Sequence, residues 1–520
     1  MGKKSRTQYS LLNIATGLGG YAVNTILGLV CRMVFTRTLE ADYLGINGLF
    51  TNIISMLSLA ELGIGSAIVY ALYKPLATGD NGKVASLVKF YGKCYRVIGL
   101  VVGIVGLALM PFLNYLIPEQ PNIKESIYLI YAIYIFNTSS TYFFSYRSSL
   151  IMAAQQNYIV TGLSYLITIA QSVFQMIYLA ATHEYIGYLI ISSIGTLVYN
   201  ITISYIAKRK FPFIVGKNIK PLEKTEKHGL IKNIRALVVW KLSGLLVNST
   251  DNIIITYFNG LITVGLASNY TLLKGTLTSL LNTVFNGITA SVGNLNAVES
   301  KEKRMKIFYS VNLANFWMYG WAAIGMFVVS SDLVKLLFGS KYVLPIGIPL
   351  ILALNFYMVG MQSAVWTFKN TMGLFRPGRY LLVLTAAINL VCSIVLGKIW
   401  GLFGIYLATA ISRAFTNTWY DPYAVFKHGF KEKSFPYFKK YFMYALILAV
   451  TGGICYFLCS FINFSVIVNV ILKFIVCCVV PNLIFYLCFF KTEEFDYFKD
   501  FFKKFLGGFL GKIFRAKKHS

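Results

Sequence analysis

The sequence has few charged residues, and very few acidic ones. Only 13% of its 520 residues are charged, compared with about 25% in soluble proteins. Asp and Glu together number 19, beside 48 Lys and Arg, while 57% of the residues are hydrophobic. Apolar runs of about 20 residues recur along the chain, and each is long enough to cross a bilayer as a helix. The composition therefore excludes a soluble globular protein and predicts an all-α polytopic membrane protein.

Signatures of enzyme chemistry are missing. The chain contains no G-x-x-x-x-G-K-[ST] loop, so it does not hydrolyse ATP through a phosphate-binding loop of its own. The four histidines are scattered, and the eight cysteines form no C-x-x-C pair and lie in apolar runs. We therefore expect no metal site, no bound cofactor and no enzymatic activity.

The net charge of +29 does not indicate nucleic-acid binding, because the basic residues are distributed between apolar spans and form no soluble domain. Lys and Arg precede the first span and follow every even-numbered span, whereas the loops after odd-numbered spans are short and poor in charge. By the positive-inside rule, this alternation predicts that both termini are cytoplasmic.

We predict about fourteen membrane-spanning helices. Spans 11 and 12 are separated only by a very short turn, Lys398–Gly401. The predicted spans, in order, are Leu11–Phe35, Leu44–Leu72, Phe90–Leu116, Ile127–Leu150, Tyr158–Ala181, Ile186–Ile206, Leu237–Phe258, Val264–Ser291, Phe308–Val329, Gly347–Phe368, Tyr380–Trp400, Leu402–Trp419, Tyr441–Phe461 and Val466–Phe490.

A long basic break divides the first twelve spans into two groups of six. It carries nine Lys or Arg and follows span 6. A weak similarity between Leu62–Ala67 and Asn286–Ser291 suggests that the two groups are parallel repeats. The predicted organisation is therefore a six-helix lobe at 1–207, a cytoplasmic linker at 208–235, a second lobe at 236–424, helices 13 and 14 at 441–490, and an amphipathic basic tail at 491–520 that lies on anionic lipid.

Span 2 contains a single charged residue, Glu61, well inside the membrane. A carboxylate at this depth costs at least about 3 kcal/mol. Helical spacing places Asn47, Ser58 and Gly65 on the same face. We therefore expect Glu61 to face a wet cavity with a role in coupling; the alternative is a structural ion pair with a neighbouring helix.

Span 7 contains a second polar group within the membrane. Lys241, Asn248 and Asn252 share one helical face, and Asp251 is next to it. Two opposite charges and two amides are too costly to face lipid, so a water-filled cavity is favoured over a purely structural polar face. Buried acids at Glu61 and Asp251 could carry a coupling ion, H⁺ or Na⁺.

Cations inside other spans suit an anionic cargo such as a pyrophosphate. Lys274 lies in the outer half of span 8, and we expect it to face inward. Arg32 and Arg413 either line the cavity or serve another purpose: Arg32 could extend to the headgroups, and Arg413 could orient the chain. The predicted substrate-binding set is Arg32, Lys241, Asn248, Lys274 and Arg413.

Basic residues nearer the cytoplasmic ends, Arg147 and Lys369, are better explained by orientation than by function. Amides inside the spans could bind sugar hydroxyls, although Asn and Tyr are abundant throughout this chain. They are Asn137, Gln171, Gln175, Asn282, Asn286, Asn312, Asn315, Asn355, Gln362 and Asn389.

Three segments within Arg37–Ala77 resemble a known family. They read R-T-L-E-A-D-Y-L-G-I-N-G-L-F-T-N-I, S-L-A-E-L-G-I-G-S-A-I and Y-K-P-L-A. The chain is similar here to bacterial flippases for polysaccharide repeat units, in the superfamily that also holds lipid II flippases and multidrug exporters. The resemblance is looser through span 12.

The resemblance implies two six-helix lobes around a central cationic cavity, working by alternating access in the bacterial plasma membrane. It implies a cargo of undecaprenyl-pyrophosphate-linked oligosaccharide for O-antigen, capsule or exopolysaccharide synthesis, with a polysaccharide polymerase and glycosyltransferases as partners beside the membrane lipids. Helices 13 and 14 could form a groove for the lipid tail, as in the lipid II branch.

The sequence leaves two other functions open. The first is an ion-coupled exporter of drugs or small metabolites on the same fold, a class that usually stops at twelve helices. The second is a membrane-embedded glycan ligase or polymerase. Such enzymes need a large external catalytic loop, whereas the longest outer loop here, around Ser330–Ile346, is short and lacks paired acids.

We predict that Glu61→Ala and Asp251→Ala each reduce translocation of the lipid-linked cargo, because each removes an acid that carries the coupling ion. Membrane insertion should be unchanged, as judged by the amount of protein in the membrane fraction. Wild-type transport by either variant would remove that residue from the mechanism.

Overall fold

A computed structural model describes most of the chain. No β-strand occurs among the residues that it describes, which confirms the all-α fold class. These residues are 6–58, 71–73, 75–76, 78–117, 121–154, 156–216, 219–223, 226–228, 230–231, 250–298, 300–372, 374, 378, 380–496 and 499.

The chain divides into two compact units, Met1–Ser268 and Asn269–Ser520. Within the described ranges, eight helices are long and apolar enough to cross a membrane by length and composition. The count of fourteen spans and the lobe boundaries at 207 and 236 remain predictions.

Unit 1 is built from helices that pack both on their neighbours in sequence and on helices more distant in the chain. Helix α1 packs on α5, α5 on α6, α6 on α4, and α4 on α3. The helices are α1 (Arg6–Thr38), α2 (Ala41–Leu57), α3 (Asn81–Leu109), α4 (Ile127–Thr141), α5 (Asn157–Thr182), α6 (Tyr185–Lys210) and α7 (Asp251–Asn259).

Unit 2 is centred on one long helix, α9, which packs against α10, α13 and α14. Helix α8 begins before the unit boundary and continues past it. The helices are α8 (Leu261–Val298), α9 (Lys301–Phe338), α10 (Gly347–Thr371), α11 (Leu381–Ala414), α12 (Asn417–Ala424), α13 (Phe435–Ser460) and α14 (Val466–Phe489), with a π-helix at Val425–Phe430.

Predicted span 4 is not one continuous helix. Helix α4 ends at Thr141, and a short 3₁₀ turn, Ser145–Arg147, precedes another helical turn at Ser148–Ala153. The hydroxyls of Ser140 and Thr141 donate to backbone carbonyls three residues earlier, at 2.9 and 2.7 Å. Such bonds compete with the helical pattern, so a Ser- and Thr-rich run interrupts an otherwise apolar span.

Predicted spans 11 and 12 form an antiparallel pair with almost no connecting loop. The only non-helical residue inside α11 is Gly401, with φ 55° and ψ −136°, a backbone conformation that favours glycine. A Cβ at Gly404 would collide with the carbonyl of Leu396. Across the pair, Asn389 donates to Thr409 at 3.1 Å. Gly401 therefore reverses the chain, and Gly404 allows the two segments to approach closely.

Polar contacts hold α14 against α9 along its length. Pro481 in α14 has no N–H, so the carbonyl of Cys477 lacks its usual helical donor. The indole Nε1 of Trp321 donates to that carbonyl at 3.0 Å. One turn further on, Trp317 donates to Asn482 Oδ1 at 2.6 Å. Helix α9 thus satisfies a backbone group that the proline exposes.

An ion pair joins the same two helices nearer their other end. Lys473 Nζ lies 2.6 Å from Asp332 Oδ2, with side chains 17% and 19% exposed. Neither residue was predicted from the sequence to have a role. After α14 the chain turns back, and Glu493 pairs with Lys306 at 2.9 Å. The hydrogen bond and charge of Lys306 lower the pKa of the Glu493 carboxyl below its ordinary value.

We predict that Lys473→Met destabilises the protein by about 3 kcal/mol, because it leaves the Asp332 carboxylate buried without its counter-ion. The double variant Lys473→Met/Asp332→Leu should recover most of that loss, since it removes both charges. Thermal unfolding in detergent measures both effects. Equal stability of the single variant and the wild type would show that the pair contributes nothing.

Candidate functional site

Three of the predicted site residues, Glu61, Lys241 and Asn248, lie outside the described residues. The other four are described, and all are partly buried. Arg32 lies in α1 and Asp251 begins α7, both in unit 1; Lys274 lies in α8 and Arg413 in the last turn of α11, both in unit 2. All four interact with other residues.

Unit 1 contains a polar pocket of about 230 Å³ between α2, α4, α5 and α6. Nine of its lining residues carry an amide or a hydroxyl, and none of them carries a full charge. The polar pocket is lined by Asn47, Thr51, Ile133, Tyr134, Asn137, Gln171, Gln175, Tyr188, Leu189, Ser192 and Ser193.

The polar pocket lies at one depth in unit 1. Helices α2, α4 and α6 begin at one end of the unit, hereafter the upper end, and α5 finishes there. Four of the lining residues are each about two helical turns from that end of their helices: Asn47, Tyr134, Gln175 and Ser192. Two turns correspond to roughly 10 Å at about 1.5 Å per residue. The pocket is therefore within the apolar length of the helices, where uncompensated polar groups are costly.

Hydrogen bonds orient part of the pocket and leave part of it available. Gln171 Nε2 donates to Ser192 Oγ at 3.3 Å and to Gln175 Oε1 at 3.4 Å. Gln175 Nε2 donates to the carbonyl of Tyr188 at 3.0 Å. Asn137 Oδ1 is buried and has no partner among the described residues. This arrangement offers fixed donors and acceptors to a ligand with hydroxyl groups.

Gly195 makes the position of Gln171 feasible. A Cβ at Gly195 would collide with Gln171 Oε1. Because the glycine has no side chain, the amide can lie across α6 beside Ser192. A larger residue there would push Gln171 out of its position in the pocket.

A cation lies beside the polar pocket. Arg32 is in the last two turns of α1, at about the same depth from the upper end. Its guanidinium donates to Ser268 Oγ. The guanidinium also interacts electrostatically with the hydroxyls of Tyr134 and Tyr188. Phe35, one turn further along α1, contacts the Tyr188 ring at 5.4 Å between centroids. The predicted cation Arg32 and the predicted amides Asn137, Gln171 and Gln175 therefore share one region of unit 1.

Two of the predicted amides in unit 2 donate to backbone carbonyls on neighbouring helices. Asn315 donates to the carbonyl of Gly360, and Asn355 donates to that of Tyr406, both at 2.8 Å. Both side chains are almost fully buried. Through Nδ2 these amides join helices, while the Oδ1 atom of each has no partner among the described residues.

A buried ion pair in unit 2 was missed by sequence analysis. Lys369 Nζ lies 2.6 Å from Asp421 Oδ1, and Asp421 is 2% exposed. Trp366 Nε1 donates to the other carboxylate oxygen at 3.1 Å, and Asn417 donates to it at 3.4 Å. Asp421 lies just beyond predicted span 12, and Lys369 just beyond span 10. Both residues are therefore expected at the same depth in the membrane, and this shared depth is the signal that could have indicated the ion pair.

Metal binding has no support in the described part of the chain, where no group of three or more His, Cys, Asp or Glu could hold an ion. Three carboxylates of unit 2, Asp332, Asp421 and Glu493, have ammonium partners.

No protein-family model matches the sequence, and no curated protein matches it. The structure is similar to lipid II flippase MurJ in an inward closed conformation, with TM-score 0.63 and 13% identity, over 92% of this chain and 98% of that one.

Multidrug exporters have the same fold. An inward-facing multidrug resistance MATE transporter matches with TM-score 0.52 and 13% identity, over 80% of this chain and 92% of that one. A point mutant of the Vibrio cholerae MATE transporter VcmN matches with TM-score 0.52 and 14% identity, over 82% of this chain and 99% of that one. The chain therefore has the helical, multi-pass membrane fold that these transporters share.

We predict different effects on stability for two Asn→Leu variants. Asn355→Leu should lower stability by about 1–3 kcal/mol, because it leaves the buried Tyr406 carbonyl without its donor. Asn137→Leu should leave stability nearly unchanged, because it removes an oxygen that has no partner in the described structure. Thermal unfolding of the purified variants measures both. Equal losses would mean that Asn137 is also a structural residue.

Proposed function

We propose that this protein is a flippase that moves an undecaprenyl-pyrophosphate-linked oligosaccharide from the inner to the outer leaflet of the bacterial plasma membrane, for surface polysaccharide synthesis. The cargo crosses by alternating access. The protein is not an enzyme, and it works with the glycosyltransferases that supply the cargo and the polymerase that consumes it.

The observation that carries this proposal is the composition of the polar pocket. Its lining offers amides, hydroxyls and two tyrosine rings, and it offers no carboxylate. Sugars bind through hydroxyl–amide hydrogen bonds and through contacts of pyranose faces with aromatic rings. A cationic drug would instead need a nearby negative charge. At about 230 Å³ the pocket is smaller than the roughly 300–1,000 Å³ typical of drug-sized ligands, and it suits a single sugar ring.

The cations of the chain suit the other part of the cargo. Arg32 lies beside the polar pocket, and a guanidinium binds phosphate oxygens in a bidentate manner. The further candidates for contact with the pyrophosphate are Lys241, Lys274 and Arg413. The candidate for contact with the sugar is Asn248. In this proposal the sugar ring and the pyrophosphate are recognised by different side chains.

Coupling to an ion supplies the driving force, since the chain has no phosphate-binding loop for ATP. Glu61 and Asp251 are the proposed carriers of H⁺ or Na⁺. Moving one charge through 100 mV is worth about 2.3 kcal/mol, which is enough to bias a two-state transporter. The match to the lipid II flippase also extends over more of this chain than the matches to the MATE transporters do.

We predict that proteoliposomes containing the protein translocate a fluorescent, short-chain prenyl-pyrophosphate oligosaccharide, detected by a membrane-impermeant quencher. Asn137→Leu should slow this transport about threefold to tenfold, as expected for the loss of one neutral hydrogen bond. The same prenyl pyrophosphate without sugar serves as the control, and Asn137→Leu should not affect its movement.

Two outcomes would contradict the proposal. Transport of a cationic dye with no movement of the prenyl-linked oligosaccharide would indicate a drug exporter. An equal effect of Asn137→Leu on cargo with and without sugar would show that the polar pocket does not bind sugar.

A further inference from the structure

The loop between α3 and α4 crosses the upper end of unit 1. Within its described residues 121–126, Asn122 Nδ2 donates to Glu40 Oε2 at 3.0 Å, and the backbone N–H of Lys124 donates to the Tyr43 hydroxyl at 3.2 Å. These contacts attach the loop to the start of α2. They place Glu125 beside the first residues of two helices that line the polar pocket.

Glu125 joins α2 to α6. One of its carboxylate oxygens accepts a hydrogen bond from the Tyr43 hydroxyl. The other accepts from the backbone N–H of Tyr185 at 3.3 Å. Tyr185 is the first residue of α6, where the N–H groups have no partner within the helix. The preceding residue, Glu184, makes no side-chain capping bond, so a carboxylate from another loop caps this helix, with a charge that suits its N-terminus.

The two residues that Glu125 holds form the wall between the upper end and the polar pocket. Tyr43 and Tyr185 are 6% and 0% exposed, and their ring centroids are 5.1 Å apart. The Tyr185 hydroxyl lies 3.1 Å from the hydroxyl of Tyr134, which lines the pocket. The Tyr185 ring also stacks on Tyr188, another lining residue, at 5.9 Å. Glu125 is therefore connected to two pocket residues through a single tyrosine.

We propose that Glu125 is a positioning residue that holds this aromatic wall closed, and that the pocket opens toward the upper end when its two hydrogen bonds break. Tyr43 and Tyr185 are on different helices, so a bond to each from one carboxylate opposes separation of α2 and α6. The cargo would leave the pocket on the side that the sequence predicts to be external. The exit of the cargo rests on the proposed function, but the closure of the aromatic wall is measurable without any cargo.

The test uses the full chain, with its eight native cysteines replaced and Ser192→Cys introduced as a reporter inside the pocket. The measured quantity is the rate at which a membrane-impermeant maleimide labels the reporter in proteoliposomes. Glu125→Ala should raise this rate at least about tenfold, because it removes two hydrogen bonds to a charged group. Glu125→Gln should give a smaller increase, because its amide oxygen can still accept one of them.

Glu184→Ala is the matched control. Glu184 is the neighbouring carboxylate on the same face of unit 1, and it accepts a hydrogen bond from Tyr178, at 2.9 Å, instead of joining α2 to α6. Its labelling rate should equal that of the parent. An unchanged rate in Glu125→Ala, or an equal increase in Glu184→Ala, would overturn the proposal.

A second variant protects the test against misfolding of Glu125→Ala. Tyr43→Phe keeps the ring and removes only the hydroxyl, which donates to Glu125 and accepts from the backbone N–H of Lys124. The variant should fold and should label faster than the parent by several-fold. If the variants label faster but the parent does not transport the prenyl-linked oligosaccharide, the closure is retained and the proposed cargo is rejected. Wild-type labelling of a folded Tyr43→Phe variant would count against the closure.

Discussion

The cost of a polar group in hydrocarbon is the constraint on which the described structure depends. Without water, each donor, acceptor or charge within the membrane needs a partner supplied by the protein. Helix α14 shows this at a single backbone atom, since Pro481 leaves the Cys477 carbonyl without a donor and Trp321 supplies one. The Lys473–Asp332 pair follows the same rule for full charges. Helix packing in unit 2 is therefore set by polar groups that must be satisfied as well as by apolar area.

The same rule gives the polar pocket its significance. In unit 2, the Nδ2 of Asn355 joins two neighbouring helices, while its Oδ1 has no partner among the described residues and lies between packed helices. In unit 1, amides of the same chemical type line a pocket about two turns below the upper end, and Asn137 Oδ1 has no partner in the described structure. Hydrogen-bonding groups that the fold itself does not use, and that line a pocket, are expected where a ligand binds. A lining without carboxylates narrows that ligand to an uncharged, hydroxyl-rich group, with Arg32 beside it for an anion.

The contacts of Glu125 suggest how such a pocket could be controlled. Its carboxylate is near the helix ends, where water can replace its hydrogen bonds at moderate cost, whereas the tyrosines that it holds are buried. The two hydrogen bonds are only part-buried, so breaking them is easier than separating a fully buried apolar interface. A small change at the loop could therefore release Tyr43 from Tyr185 and alter access to Tyr134 and Tyr188. The proposed cycle thus places the mobile contacts at the surface and the recognition groups within the membrane.

The sequence by itself determined the helical membrane fold, because long apolar runs leave helices as the available spanning structure. The predicted ends of α5, α6, α10 and α14 are within four residues of the observed ones. It also identified Arg32, Asn137, Gln171 and Gln175 as polar residues inside spans. Only the tertiary structure decided which of these meet. Hydrophobicity reports the depth of a residue along its helix, but it does not report the neighbours that the residue faces. For the same reason the pairing of Lys369 with Asp421, and the two bonds of Glu125, could not be read from local sequence: each joins residues distant in the chain, through helix packing that no short segment encodes.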